Sequence, residues 1–113
     1  MNYKEEKPWG TFENLLSNDI CKVKEIVISP GQAPSYQYHH QRSEVWVITQ
    51  GNGLVTLDGE EINVGPGSIV NVPVSAKHRI RNTGEEDLIF IEVQLGDYFG
   101  EDDIVRLRDD YGR

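Results

Sequence analysis

Turn signals punctuate this chain and divide it into short β-patterned runs. Pro30-Gly31, Gln50-Gly51-Asn52-Gly53, Asp58-Gly59, Gly65-Pro66-Gly67 and the run TGEED at 83–87 follow one another at close intervals. Glycine supplies backbone angles that other residues resist, and proline removes a donor, so such clusters end regular elements. Between Gly53 and Gly67 the runs fall short of the roughly ten residues a packed helix needs, and the longer ones elsewhere alternate apolar and polar residues with β-branched side chains prominent. They read as strands over 11–16, 21–28, 35–40, 44–49, 53–57, 60–64, 68–72, 76–82 and 88–95. Asp58-Gly59, set between two alternating runs, fits a type I′ hairpin, where both central residues need positive φ. Short strands at this spacing predict an all-β antiparallel sandwich or barrel. No internal repeat or low-complexity linker divides the chain, so one domain over 1–113 is expected. Only the tail, 100–113, reads as a short C-terminal helix, with acids at 101–103 and bases at Arg106 and Arg108, the order a helix dipole favours.

Charge narrows the range of partners. There are 19 acidic residues against 11 basic ones, a formal net charge of -8. A surface that follows phosphates needs an excess of Lys and Arg, so neither nucleic acid nor an anionic membrane is an expected partner. A small anionic substrate would need a local basic pocket working against the overall field. Cys21 is the single cysteine, which excludes an internal disulfide and a thiolate-rich zinc site. The first residues, MNYKEEKPWG, lack the apolar stretch of a signal peptide, and no run reaches membrane-spanning length, so a cytoplasmic protein is expected.

The chemistry concentrates in residues 35–46, SYQYHHQRSEVW. Strand side chains alternate between faces, so Gln37 and His39 share one face while Tyr38 and His40 take the other. Glu44 has the opposite parity to His39, so a break must intervene, and Gln41-Arg42-Ser43 can supply it. After that break Glu44, Trp46 and Ile48 share a face, and two neighbouring strands can bring Gln37, His39 and Glu44 together. The second half of the chain offers His78, the one histidine outside this stretch. An amide oxygen, two imidazoles and a carboxylate make a mixed nitrogen and oxygen set suited to one divalent ion, zinc first, with Mn, Fe, Ni or Co also compatible.

The spacing G-x5-Q-x-H-x4-E-x6-G, from Gly31 to Gly51, is similar to the first cupin motif with glutamine where histidine is usual. The spacing G-x5-P-x-S-x2-H-x3-N, from Gly67 to Asn82, is similar to the second, with Ser75 where glycine is usual. Together with KPWG at 7–10, KVKEI at 22–26, HRIRN at 78–82 and the tail from 92, the chain resembles the cupin domain of type II phosphomannose isomerases. That domain usually follows a mannose-1-phosphate guanylyltransferase domain, which this sequence does not include. The resemblance implies a cupin-type double-stranded β-helix, or jelly-roll barrel. It implies a metal held by Gln37, His39, Glu44 and His78, and interconversion of mannose 6-phosphate and fructose 6-phosphate. Glycine in place of Ser75 would serve a positive-φ backbone, so the serine implies a strained turn beside His78. Gln41 and Val45 stand where this family often has histidine.

Isomerisation of such a sugar phosphate needs a Lewis acid, a base that returns a proton and a cationic grip on phosphate. Arg42 and Arg79 are the candidates for the grip, because guanidinium meets phosphate through paired hydrogen bonds. Alternation turns Arg79 away from the metal unless the strand bulges. Lys22 and Lys24 share a face and either line the barrel or form a solvated side. The base is not identified by the sequence, His40 has the parity of a bystander, and Trp9 and Trp46 read as core aromatics. Val45 and Val47 point away from the ligands, which predicts a homodimer through that face or packing within the chain. A metal-binding cupin with another role is the alternative, either an epimerase, an oxygenase or a non-catalytic carbohydrate-binding module.

Overall fold

The computed structural model describes residues 3–111, apart from the side chain of Glu101. Among them are eleven strands: β1 (Tyr3–Lys7), β2 (Gly10–Ser17), β3 (Cys21–Ile28), β4 (Tyr36–His39), β5 (Arg42–Gln50), β6 (Gly53–Leu57), β7 (Glu60–Val64), β8 (Ile69–Val72), β9 (His78–Asn82), β10 (Leu88–Gly96) and β11 (Ile104–Arg108). They form a six-stranded sheet in the order β1-β2-β3-β10-β5-β8 and a five-stranded sheet in the order β11-β4-β9-β6-β7. Every pairing is antiparallel. This is the antiparallel all-β barrel expected from the turn-divided sequence, in the jelly-roll form that the family resemblance implies.

Alternation decides what faces inward. Arg42, Glu44, Trp46 and Ile48 are buried on β5, as are Leu88, Phe90, Glu92 and Gln94 on β10. One end of the interior is apolar, built from Ile28, Ile48, Val55 and Leu88, and Trp9, Phe12 and Phe90 continue it to the wall of the cavity. Burying each large side chain of this kind contributes about 1.5–3 kcal/mol. The other end carries the charged inward residues. The opposite face of the larger sheet stays open, with Val47 and Ile69 exposed and Val45, Ile91 and Val93 half-buried, so Val45 and Val47 do not pack against the second sheet.

The hairpin at Asp58-Gly59 forms as expected, with φ of 47° and 84° joining β6 to β7. The tail differs from expectation. Residues 101–103 make one 3-10 turn, Glu101–Asp103, and the chain then runs into β11 instead of a helix. β11 pairs with β4, placing Ile104 opposite His39 and Arg106 opposite Gln37. A favourable order of charges along a helix contributes at most about 1 kcal/mol at the surface. An open strand edge with β-branched Ile104 and Val105 available to cover it outweighs that. Gly112 and Arg113, at the end of the expected helix, lie outside the described residues. β1 was also absent from the sequence reading, because KEEK has little β propensity and forms a strand only by pairing with β2. Among the described residues no helix is long and apolar enough to cross a membrane.

Ser75 has φ of 66°, with its amide donating to the His39 carbonyl at 2.7 Å. A left-handed conformation costs a non-glycine residue about 1–2 kcal/mol, while glycine's extra freedom in the unfolded chain offsets about 0.4–1 kcal/mol. Ser75→Gly is therefore expected to stabilise the protein by up to about 1 kcal/mol in equilibrium denaturation. A lower unfolding midpoint for the glycine variant would contradict the strained turn.

Candidate metal centre

The site forms where β4, β5 and β9 face one another. β4 turns Gln37 and His39 inward, β5 brings Glu44, and β9 begins with His78 directly opposite Gln37. The parity break that aligns Glu44 with His39 is held from a distance. Asp103 accepts the amides of His40 and Gln41 at 3.2 and 2.9 Å, fixing the turn between β4 and β5. Gly96 lies opposite Arg42, where an added Cβ would sit 2.3 Å from the Gln41 carbonyl oxygen. A bare backbone there lets the turn approach β10.

Candidate ligand atoms of His39, Glu44 and His78 lie within 4.8 Å of one another, and all three residues are buried. His39 Nδ1 is 3.7 Å from Glu44 Oε2, and His78 Nε2 is 4.0 Å from Glu44 Oε1. The two imidazoles stack with centroids 5.2 Å apart. Each group also has an outer partner. His78 Nδ1 donates to the Ala76 carbonyl at 3.0 Å, which leaves the lone pair on Nε2, the nitrogen facing Glu44. Burial lowers the His78 pKa and keeps that ring neutral. Glu44 accepts Trp46 Nε1–H on Oε1 and Arg42 Nε–H on Oε2, both at 3.0 Å. Gln37 Oε1 accepts the Ser35 hydroxyl at 2.7 Å, and His39 Nε2 accepts Arg42 Nη2–H at 2.8 Å. Two imidazoles, a carboxylate and an amide oxygen make a donor set for a borderline divalent cation, which His39 Nε2 joins by exchanging its bond from Arg42 for the metal.

A cavity of about 150 Å³ adjoins these residues, with Gln37, Arg42 and His78 in its wall. Glu92 and Arg106 line it too, and neither was picked out from the sequence. Glu92 is buried opposite Lys24 on one side and Trp46 on the other, and its Oε2 accepts Gln94 Nε2–H at 3.0 Å. Its carboxyl is pushed up to about 8, first by burial and then by the charge and hydrogen bond of Glu44. Its parity with Leu88 and Phe90 was the available signal inside the apolar run LIFIEVQL. Trp46 is core as expected, yet its indole N–H also holds Glu44.

The other sequence candidates are spread out. Arg42 is buried and bonded to Glu44 and His39, so it holds ligands rather than facing solvent. Arg79 touches the cavity edge, but its guanidinium donates to Pro34 O at 3.0 Å and to Asp110 at 2.5 Å. Lys24 is buried with Nζ 4.4 Å from the Phe12 ring centroid and lines the cavity, whereas half-buried Lys22 does not. His40 is exposed and meets the edge of Tyr38.

The family described as mannose-6-phosphate isomerase C-terminal matches residues 1–109. The chain is 40% identical over 107 residues to an Escherichia coli mannose-1-phosphate guanylyltransferase, with 95% of this chain and 22% of that protein covered. It is 39% identical to the xanthan biosynthesis protein XanB of Xanthomonas campestris, over 95% of this chain and 23% of that one. The chain thus spans under a quarter of the length of these curated relatives. Among solved structures, Streptomyces Pac13, described as a unique nucleoside dehydratase, superposes with a TM-score of 0.81 at 14% identity, covering 96% of this chain and 86% of that one. The Schizosaccharomyces pombe Cnp3 cupin domain gives 0.74 at 17% identity, over 77% and 64%. At such identities these structures establish the cupin fold and nothing further.

Wild-type protein dialysed against zinc is expected to retain about one equivalent by elemental analysis, and His78→Ala to retain almost none, as loss of one of four ligands implies. Trp46→Phe, which removes a hydrogen bond to Glu44 alone, is expected to weaken metal affinity by about tenfold or more. Unchanged occupancy in His78→Ala would refute the ligand assignment.

Proposed function

The chain belongs to the mannose-6-phosphate isomerase C-terminal family, and from that membership we propose that it interconverts mannose 6-phosphate and fructose 6-phosphate. The cofactor in this proposal is one divalent ion on Gln37, His39, Glu44 and His78, zinc first, with Mn, Fe, Ni or Co as alternatives. The carrying observation is the buried His39, Glu44 and His78 cluster beside a cavity that also contains a second inward carboxyl, Glu92. Nothing of the guanylyltransferase chemistry of the longer relatives is assigned to these residues.

The reaction moves a proton between carbons 1 and 2 of the sugar through an enediolate. When bound, the ion supplies Lewis acidity to the substrate's oxygens. Glu92 is the proposed proton carrier, because it lies in the cavity wall one strand from Glu44 and next to Lys24, whose cation steadies the carboxylate once the proton has left. Trp46, Phe90 and Ile104 line the same cavity and limit the water that could compete for the proton. Arg42 fixes the carboxylate of Glu44 and balances its charge. The setting proposed for this reaction is cytoplasmic.

We further propose a homodimer through the outer face of β8, β5 and β10. Two acidic copies can approach there through Ile69, Val47, Val45, Ile91 and Val93 without setting carboxylates against one another.

A coupled assay on mannose 6-phosphate is expected to give turnover that a chelator abolishes and the metal restores. Glu92→Gln is expected to keep its metal and lose about 100-fold to 10,000-fold in kcat. Metal-loaded wild-type protein that turns over no hexose phosphate would sink the proposal. For the dimer, light scattering should give twice the 12.8 kDa chain mass, and a monomer at all concentrations would remove it.

A further inference from the structure

We infer that Arg106 is the residue that grips the phosphate of the substrate. The inference rests on the sugar-phosphate reading above and moves the grip away from both arginines that the sequence suggested. Arg42 gives Nε to Glu44 and Nη2 to His39, and its remaining Nη1 is buried within that charged cluster without a partner, while Arg79 is bonded to Pro34 and Asp110. Arg106 stands elsewhere, on the strand that closes over β4. Its register partner is Gln37, two residues from the pairing of Ile104 with His39. Side chains paired across antiparallel strands share a face, so Arg106 and Ile104 lie on the cavity side, and both line the cavity.

The surroundings leave Arg106 available. Its side chain is exposed, and it makes no hydrogen bond or ion pair among the described residues. Lys7 also lines the cavity, but its Nζ is 3.1 Å from Glu5, a carboxylate that lines it too, and 5.7 Å from the Phe12 ring centroid. Lys24 lies deeper, over Phe12. A phosphate arriving at this acidic chain therefore meets open guanidinium donors at Arg106, while Glu5 already neutralises Lys7. Guanidinium binds phosphate by two parallel hydrogen bonds, fixing both position and orientation.

The geometry assigns polarity to the substrate as well. Carbons 1 and 2 belong at Gln37, His39, Glu44 and His78. The phosphorylated end then lies toward the solvent side of β11, one strand beyond Gln37. Recognition of phosphate and recognition of the reacting carbons are thus provided by neighbouring strands, β11 and β4.

The test is a calorimetric titration of metal-loaded wild type, Arg106→Gln, Arg106→Lys and Arg79→Gln with mannose 6-phosphate, unphosphorylated mannose and inorganic phosphate. Metal content and thermal unfolding check that each variant is intact. Arg106→Gln is expected to bind mannose 6-phosphate about 10-fold to 100-fold more weakly, the loss of a charge-assisted contact, with mannose binding unchanged. Arg106→Lys should recover part of the loss, and Arg79→Gln should bind as wild type does. Wild-type affinity in Arg106→Gln, an equal loss for mannose, or a larger loss in Arg79→Gln would overturn the inference. Phosphate binding that depends on Arg106 without any isomerase turnover would instead overturn the isomerase reading and leave the anchor in place.

Discussion

The Glu44 carboxylate sits almost fully out of water, and the rest of the site is arranged around that fact. A buried charge without partners costs several kcal/mol, so both oxygens must be met. They are met from the same strand, by Arg42 on one side and Trp46 on the other. Residues two apart on a strand share a face, so β5 carries the carboxylate and both its donors as one local unit. What the remainder of the fold must achieve is narrower: it has to bring two imidazoles and an amide to that unit. Asp103 and Gly96 do so by fixing the turn at 40–41, and the pairing of β4 with β9 does so by aligning Gln37 with His78.

The interior therefore divides into two regimes. At one end Ile28, Ile48, Val55 and Leu88 make an apolar core of the usual kind. At the other, two buried cations, Arg42 and Lys24, face two buried carboxyls, Glu44 and Glu92. These groups occupy neighbouring strands, so no charge is left alone even though the chain as a whole is acidic. Pairing inside and acidic excess outside serve different ends. The first allows polar groups to be buried beside the cavity, and the second keeps the outer surface hydrated.

What could be read from the sequence was local. The hairpin at Asp58-Gly59 follows from two residues that tolerate positive φ, and the strain at Ser75 follows from a position where glycine would be at ease. The inward parity of Gln37, His39, Glu44 and His78 follows from alternation plus one break. What was missed depended on distant pairing. The tail carries a charge order suited to a helix, but the free edge of β4 draws Ile104 and Val105 into a sheet. Arg42 lines the cavity as a substrate contact would, and its parity with Glu44 also brings those two side chains together. Glu92 was hidden because one acid in an apolar run does not announce which neighbours it will meet.

The place of β11 in the chain has a consequence for how the protein is made. β4 carries Gln37 and His39, yet its outer edge is covered only by residues 104–108, the last strand described. During synthesis the first half of the barrel emerges with that edge bare, and an uncovered edge can recruit any other unfinished chain nearby. Pairing across so long a stretch of sequence is also slow, because loop closure must come before the contacts that reward it. The interval between translation of β4 and translation of β11 is thus the period in which a nascent chain is most exposed to misassembly.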